Sequence, residues 1–265
     1  MIPTLTVSWF SAGVSSAVAT WLVRDEVDRI IYTHIDDQHP DTLRFVRDCE
    51  QWFGKPVEVL QSPYKNVENA LLGNGVGYVN GPTGAPCTKL LKRRVRAEWE
   101  RENRWFTSFR YVWGLDIEET KPRPPRGLSR VDGIREAMPQ EEHLFPLVDA
   151  GVTKADAHGI LRKAGIKRPA MYDLGYRNNN CVGCVKGGKH YWNKIRVDFP
   201  EVFKARAELE RKMGHTCLKK VRERPQEPAS ADNSVLLYLD ELDPAAGRDD
   251  GPIVDECGIM CEILK

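Results

Sequence analysis

Leu5-Thr6-Val7-Ser8-Trp9-Phe10-Ser11-Ala12-Gly13-Val14-Ser15-Ser16 begins as an apolar, partly β-branched run and stops at three small residues. Ser16–Val23 (SAVATWLV) then continues with helix-compatible composition. The pattern is strand, tight turn, helix. Small side chains at Ser11, Ala12 and Gly13 let the backbone turn sharply and bring its N–H groups close to a ligand. A helix beginning near Ser15 aims its positive dipole end at the same place. The hydroxyls of Ser11, Ser15 and Ser16 add donors. Many strand-to-helix turns share these features without touching a phosphate, so both readings stand on these residues alone.

Outward from this unit the alternation repeats. Arg29–Ile35 reads as a second buried strand, and Asp41–Phe53 places Val46, Cys49 and Phe53 at helical spacing. Val57–Leu60 is a third strand and Phe109–Trp113 a fourth, preceded by a charged helix around Lys89–Arg101. Strands alternating with helices predict an α/β fold: a parallel twisted sheet with helices on both faces. Gly73–Pro86, with five glycines and two prolines, reads as a loop long enough to be functional, and Thr120–Gly127 as a Pro/Arg-rich loop. Thr153 reads as the N-cap of a helix ending near Gly165, and Glu201–Met213 as a charged helix. A polar linker, Arg222–Asn233, precedes a strand-like Val235–Leu239 and an acidic, turn-rich Asp240–Asp255. The expected organisation is an α/β domain over residues 1–200. A helix, linker and cysteine-bearing C-terminal extension over 201–265 packs on the same domain.

The 265 residues are 41% hydrophobic, enough for a sizeable core, and 29% charged. Lys plus Arg number 39 and Asp plus Glu 38, a balance that gives no support for a nucleic-acid-coating or membrane-surface role. No apolar run approaches the ~20 residues of a membrane span. The N-terminal MIPTLTVSWFSAG lacks the basic and apolar regions of a signal peptide. A cytoplasmic, reducing setting is therefore expected, in which the seven cysteines stay thiols and close-set ones point to metal or redox chemistry.

Cys181-Val182-Gly183-Cys184 is the sharpest such signal. Two thiolates three positions apart across a glycine turn can bind one metal or cluster; a thioredoxin-like dithiol and two incidental thiols are the alternatives. Cys49 falls on the apolar face of its helix and reads as core. Cys217 has no motif around it. Gly187–Phe203 (GGKHYWNKIRVDFPEVF) is basic and aromatic, readable as a nucleic-acid strip or as a helix whose Tyr191, Trp192 and Ile195 are core; the second is favoured. His190 stays open. Asp41 reads equally as a helix cap or as a ligand contact.

Ser11–Ser16 (SAGVSS), directly after an N-terminal strand, resembles the SGGxDS loop of the adenine nucleotide alpha-hydrolase-like (PP-loop) superfamily, whose Rossmann-like fold is shared by phosphoadenosine-phosphosulfate (PAPS) reductases and ATP pyrophosphatases. Asp36-Asp37-Gln38-His39-Pro40-Asp41-Thr42 resembles that family's DTGxxxPET turn, and Met171–Tyr176 with Cys181 and Cys184 its LYDxGYxxxGCxxC segment. Cys87-Thr88-Lys89-Leu90-Leu91-Lys92 is similar to the CCxxRK segment of cluster-bearing adenylylsulfate reductases, and Asp255–Ile259 (DECGI) to the C-terminal ECGIH motif. The segments also occur in the family's order.

The resemblance implies an enzyme that binds an adenine nucleotide (PAPS, adenylyl sulfate or ATP) through Ser11, Ala12, Gly13, Ser15, Ser16, Asp36 and Gly114. Lys89, Lys92, Arg93, Arg123 and Arg126 are the cationic candidates for a sulfate, Lys92 and Arg123 foremost. It implies Cys257 as the nucleophile of a thiol-dependent reduction, with a thioredoxin-like reductant. A [4Fe–4S] cluster on Cys87, Cys181 and Cys184, with a fourth ligand from the tail or an open iron, leads the metal readings. A zinc held by Cys181, Cys184, Cys257 and Cys261 is the second, and a metal-free redox pair the third. Ser15 stands where ATP-cleaving members carry an aspartate near magnesium, so Mg is implied only if ATP is used. Asp116 stands where reductases carry an arginine, and Met260 where they carry the motif's histidine. These departures leave two other functions open: an iron–sulfur sulfurtransferase that thiolates a nucleic acid, and a nucleotide-binding module with a structural zinc. A homo-oligomer also stays open.

Overall fold

The structure is a computed structural model that describes residues 3–73, 79–80, 84–104, 108–123, 127–218, 221–222, 234–249, 251 and 253. Five strands, β1 (Thr4–Trp9), β2 (Arg29–His34), β3 (Val57–Gln61), β4 (Ser108–Val112) and β5 (Glu142–Leu144), form one sheet in the order β3-β2-β1-β4-β5. All neighbours run parallel, with Val7 of β1 opposite both Arg29 and Tyr111. The principal helices are α1 (Val14–Leu22), α2 (Asp41–Phe53), α3 (Val67–Leu72), α4 (Arg94–Asn103), α5 (Arg130–Ala137), α6 (Lys154–Lys163), α7 (Lys189–Asp198) and α8 (Pro200–Met213). Among the described residues, no helix is long and apolar enough to cross a membrane.

The two-residue period of a strand sorts the core. Ile30 and Tyr32 of β2 pack with α1, α2 and α6 through Val14, Val18, Phe45 and Ile160. Ile31, between them, turns to the other face, where Val7, Phe109 and Tyr111 meet Trp99 of α4. Helices therefore cover both faces. A third apolar cluster gathers Cys87, Leu91, Met171, Tyr176, Trp192 and Ile195 with Leu209 of α8 and Leu239, so the chain beyond residue 200 packs around the cysteine loop.

Several boundaries differ from expectation for local reasons. α1 starts at Val14, because the extended Gly13 caps it and the Ser16 hydroxyl bonds back to the Gly13 carbonyl at 2.8 Å. The charged helix around Lys89–Arg101 is interrupted. A turn at Pro86–Thr88 leads into a π-helical turn, Lys89–Arg93, and only then into α4. Asp41 is not the cap of α2; Pro40 holds that position, and the Asp41 carboxylate is taken by Arg44 and the Ala170 N–H. Val235–Leu239 is not one strand. Ser234–Val235 pairs with Val221–Arg222, and Leu239 opens a 3-10 turn tied to Glu210. Thr153 caps α6 as expected, accepting from the Asp156 N–H. Most of Gly73–Pro86 and Arg222–Asn233 lies outside the described residues, as do residues 124–126.

The strand order reverses direction between β1 and β4, and in open α/β sheets ligands bind in the crevice beyond the carboxyl ends of such strands. Gly114, just past β4, makes this crevice close-walled: a Cβ built there stands 2.4 Å from Ser16 Cα. Ser16 N and Cβ follow at 2.7 Å, and since these atoms are backbone or fixed directly to it, nothing can move aside cheaply. Gly114→Ala is expected to lower the unfolding free energy by about 1–3 kcal/mol, the usual cost of overpacking, read as a fall in the urea midpoint.

Candidate functional site

The loop after β1 is held by its own serines. Ser16 Oγ accepts from Ser11 N (3.3 Å), Ser11 Oγ (3.0 Å) and Gly13 N (3.3 Å), so the hydroxyl sits where the turn's donors converge. Ala12 is buried with φ +56, a left-handed conformation that costs a residue with a Cβ roughly 1–2 kcal/mol. A glycine in this place would adopt it freely. The strain is held in place by Asn179, whose Nδ2 donates to the Ala12 carbonyl at 2.7 Å. Tyr172 adds a second restraint, its hydroxyl accepting from Val14 N at 3.3 Å.

Next to the loop lies a cavity of about 160 Å³ lined by Ser11, Trp9, Phe10, Ile31, Trp113 and the cations Lys92, Arg93 and Arg96. Aromatic and aliphatic walls with a few convergent cations suit a flat base carrying an anionic group. Arg96 is braced by Glu100 at 3.2 Å and lies 5.8 Å from the Trp113 ring centroid.

The cysteine loop approaches from the other side. Gly183 turns it at φ +72, and a Cβ there would stand 2.7 Å from Val202 Cγ1 on α8. Tyr191 of α7 fastens the turn, its hydroxyl donating to Cys181 O (3.1 Å) and accepting from Cys184 N (2.8 Å). From below, buried Arg206 donates to Gly183 O (3.4 Å) and pairs with Asp37, whose other oxygen accepts from Val67 N. Val182 N donates to Asp37 O at 2.8 Å. Asp37 therefore serves as a strut between the second-strand turn and the cysteines.

Cys87, Cys181 and Cys184 line a second cavity, of about 130 Å³, together with Lys92, Lys186 and Asn180. Burial raises the Cys87 thiol. It pushes Cys181 up to about 12 against the opposing pull of the Lys92 ammonium. The donor set fits an iron–sulfur cluster in kind, since three thiols converge on one cavity whose two lysines would offset thiolate charge. Among the described residues, no three His, Cys, Asp or Glu side chains form a group that could hold a metal ion. Cys257 and Cys261 lie outside the described residues.

The remaining candidates are dispersed. Ser15 is half-buried on the first turn of α1. Asp36 is half-exposed past β2, accepting from Gln61 Nε2 (2.6 Å) beside His34. Arg123 stands 3.8 Å from Glu119 on an exposed loop and is not among the residues lining these two cavities. Asp116 is buried and caps the turn Ile117–Thr120. Burial and then the nearby Glu119 raise its carboxyl, with Lys154 opposing. Cys49 is core, and Trp192 and Ile195 are fully buried as expected of a helix beside the cysteine loop. Sequence reading missed Asn179, Tyr172, Tyr191 and Arg206 as positioning residues. Asn179 stands in an Asn-Asn-Asn run that signals only a polar turn.

Compared with known protein families and with curated proteins, the chain matches no family model and no individual protein.

Removing the Asn179 amide leaves the Ala12 carbonyl and the Thr42 hydroxyl without this partner. Asn179→Ala is therefore expected to cost about 1–3 kcal/mol in a denaturant melt. Ala12→Gly, which relieves the left-handed strain, should raise stability by about 1 kcal/mol. A fall in stability for the glycine variant would mean that the Ala12 methyl's packing outweighs its backbone strain.

Proposed function

We propose that this chain is an enzyme of the PAPS-reductase type within the adenine nucleotide alpha-hydrolase-like superfamily, carrying out cysteine-based sulfur chemistry on an adenine sulfonucleotide. The observation that carries this reading is the position of Lys92. On the π-helical turn before α4, it lines both the cavity beside the Ser11–Ser16 loop and the cavity of Cys87, Cys181 and Cys184. π-Helical turns are frequent at functional sites. An adenine nucleotide gripped by the loop would direct its anionic end toward Lys92, and so toward the thiols.

In this reading Ser11, Gly13 and Ser16 exchange their mutual hydrogen bonds for bonds to phosphate oxygens, and Lys92 with Arg93 orients the sulfate. The Cys257 thiolate attacks the sulfonate sulfur; the S–O bond to the nucleotide phosphate breaks, releasing the nucleotide and leaving S-sulfocysteine. A thioredoxin-like dithiol attacks Cys257 Sγ and expels sulfite, and its second thiol resolves the mixed disulfide, the dithiol ending as a disulfide. A [4Fe–4S] cluster on Cys87, Cys181 and Cys184 would supply an iron centre beside the sulfonucleotide, its properties tuned by Lys92 and Lys186.

A second reading, sulfur transfer to a nucleic acid, is favoured by Asp116: a buried carboxylate past β4 is unsuited to a sulfate that reductases meet with an arginine.

Anaerobically purified protein is expected to absorb near ~400 nm, with iron and sulfide that vanish in Cys181→Ser/Cys184→Ser. It should release sulfite from PAPS or adenylyl sulfate with a dithiol reductant. Cys257→Ser should abolish release, and Lys92→Ala should lower kcat/KM by about 10–100-fold, the cost of a lost charge-assisted contact. Stoichiometric zinc without iron would overturn the cluster. Absence of sulfite together with ATP-dependent sulfur incorporation into nucleic acid would select the second reading.

A further inference from the structure

Beside the cavity of the three thiols lies a larger groove of about 480 Å³, bounded by the segment Gly175–Asn180, the first turns of α7, and Gly247, Arg248, Asp249 and Gly251. Asn180, Cys184 and Lys186 line both this groove and the thiol cavity, so the two meet at Cys184. The groove is an approach from solvent to a cysteine.

Its charge is one-sided. Among the described residues that line it, Arg177, Lys186, Lys189, Lys194 and Arg248 are cationic and Asp249 is anionic, and Lys194 is already paired with Asp198. The chain as a whole carries 39 basic and 38 acidic residues, so this asymmetry is a local property of the groove. Lys194 is anchored by Asp198 at 2.9 Å and lies 4.9 Å from the Tyr176 ring centroid, and His190 stands 3.4 Å from Asp249. Lys186, Lys189 and Arg248 are exposed. Clefts lined by one sign of charge concentrate ligands of the other.

The rest of the lining narrows the class of anion. Gly188 and Gly251 have open space where a Cβ would stand and leave backbone on the wall, whereas Gly187 and Gly247 pack against Tyr191 and His190. Asn178 and Asn180 add amide donors and acceptors, and half-buried Tyr191 contributes aromatic surface, while Tyr176 is buried beneath Lys194. A volume of about 480 Å³ is in the ~300–1,000 Å³ span of sites for one small ligand. It admits one nucleotide unit, while cations at the rim meet the flanking phosphates. Positive grooves with aromatic surface are the common form of single-strand binding sites.

We propose that this groove binds a single-stranded nucleic acid and presents one of its nucleotides to Cys184. The site is separate from the Ser11–Ser16 loop, and the inference does not rest on which sulfur reaction that loop supports.

The test uses the full chain and fluorescein-labelled 12-mers, one DNA and one RNA, in anisotropy titrations across a salt series without added nucleotide. Binding of a 12-mer is expected, weakening as salt rises. The exposed pair Lys189→Glu/Arg248→Glu should weaken it at least tenfold, and loss of two phosphate contacts should flatten the log K against log salt slope by about 1.4. Unchanged circular dichroism and melting would show that this variant folds. Ser16→Ala, in the other site, should leave 12-mer binding unchanged, which separates failure of the groove from failure of the nucleotide reading. The preference between the DNA and RNA strands identifies the natural source. Three outcomes overturn the proposal: no binding of either strand at low salt, binding that the charge-reversed pair leaves intact, or saturation by AMP with no 12-mer binding. Loss in that pair of reduction by a thioredoxin-like protein, with no 12-mer binding, would reassign the groove to an acidic protein partner.

Discussion

The hydrogen bond from Asn179 Nδ2 to the carbonyl of Ala12 joins the two halves of the candidate site. Its donor lies two residues before Cys181, and its acceptor is the strained residue of the loop after β1. Because the amide is buried and also reaches Thr42 on α2, it fixes three segments at once, and none can shift without stranding a polar group. Tyr172, from the segment leading to the cysteines, meets the same loop at Val14. A buried pair, Asp37 and Arg206, repeats the logic on the far side of the cysteine turn. Such pairs contribute modestly when intact, but losing one partner is costly, which suits them to holding geometry.

Between these clamps the chain places cations where neutral thiols and an anionic ligand would otherwise have little to meet. Burial favours the protonated form of Cys87 and Cys181, and Lys186 opposes it at Cys87 and Lys92 at Cys181. Lys92, on the π-helical turn Lys89–Arg93, also lines the cavity beside the serine loop. On the outer face, the basic groove gives Cys184 a second neighbourhood. One cysteine thus lines two cavities at once.

Much of this architecture was legible in the sequence. The apolar run ending at Ser11-Ala12-Gly13 required a strand and a tight turn, and the periodicity of Asp41–Phe53 gave α2 its observed limits. The Cys181–Cys184 spacing required two thiols on one turn, and Thr153 announced α6 through a cap whose partner, Asp156, lies three residues on. These signals are local: each depends on steric rules or hydrogen bonds spanning a few residues, and the chain states them wherever it is placed.

What only the tertiary structure decided depends on residues far apart in the chain. The convergence of Cys87 with Cys181 and Cys184 requires the β3-to-β4 crossover and the α6-to-α7 connection to meet, which no spacing specifies. The roles of Asn179, Tyr191 and Arg206 follow from burial against partners that sequence does not name. The positive groove was hidden by a near-zero net charge, because its cations come from Arg177, the α7 region and Arg248. Composition sums charge over the chain, whereas a ligand meets only the charges that folding brings to one surface.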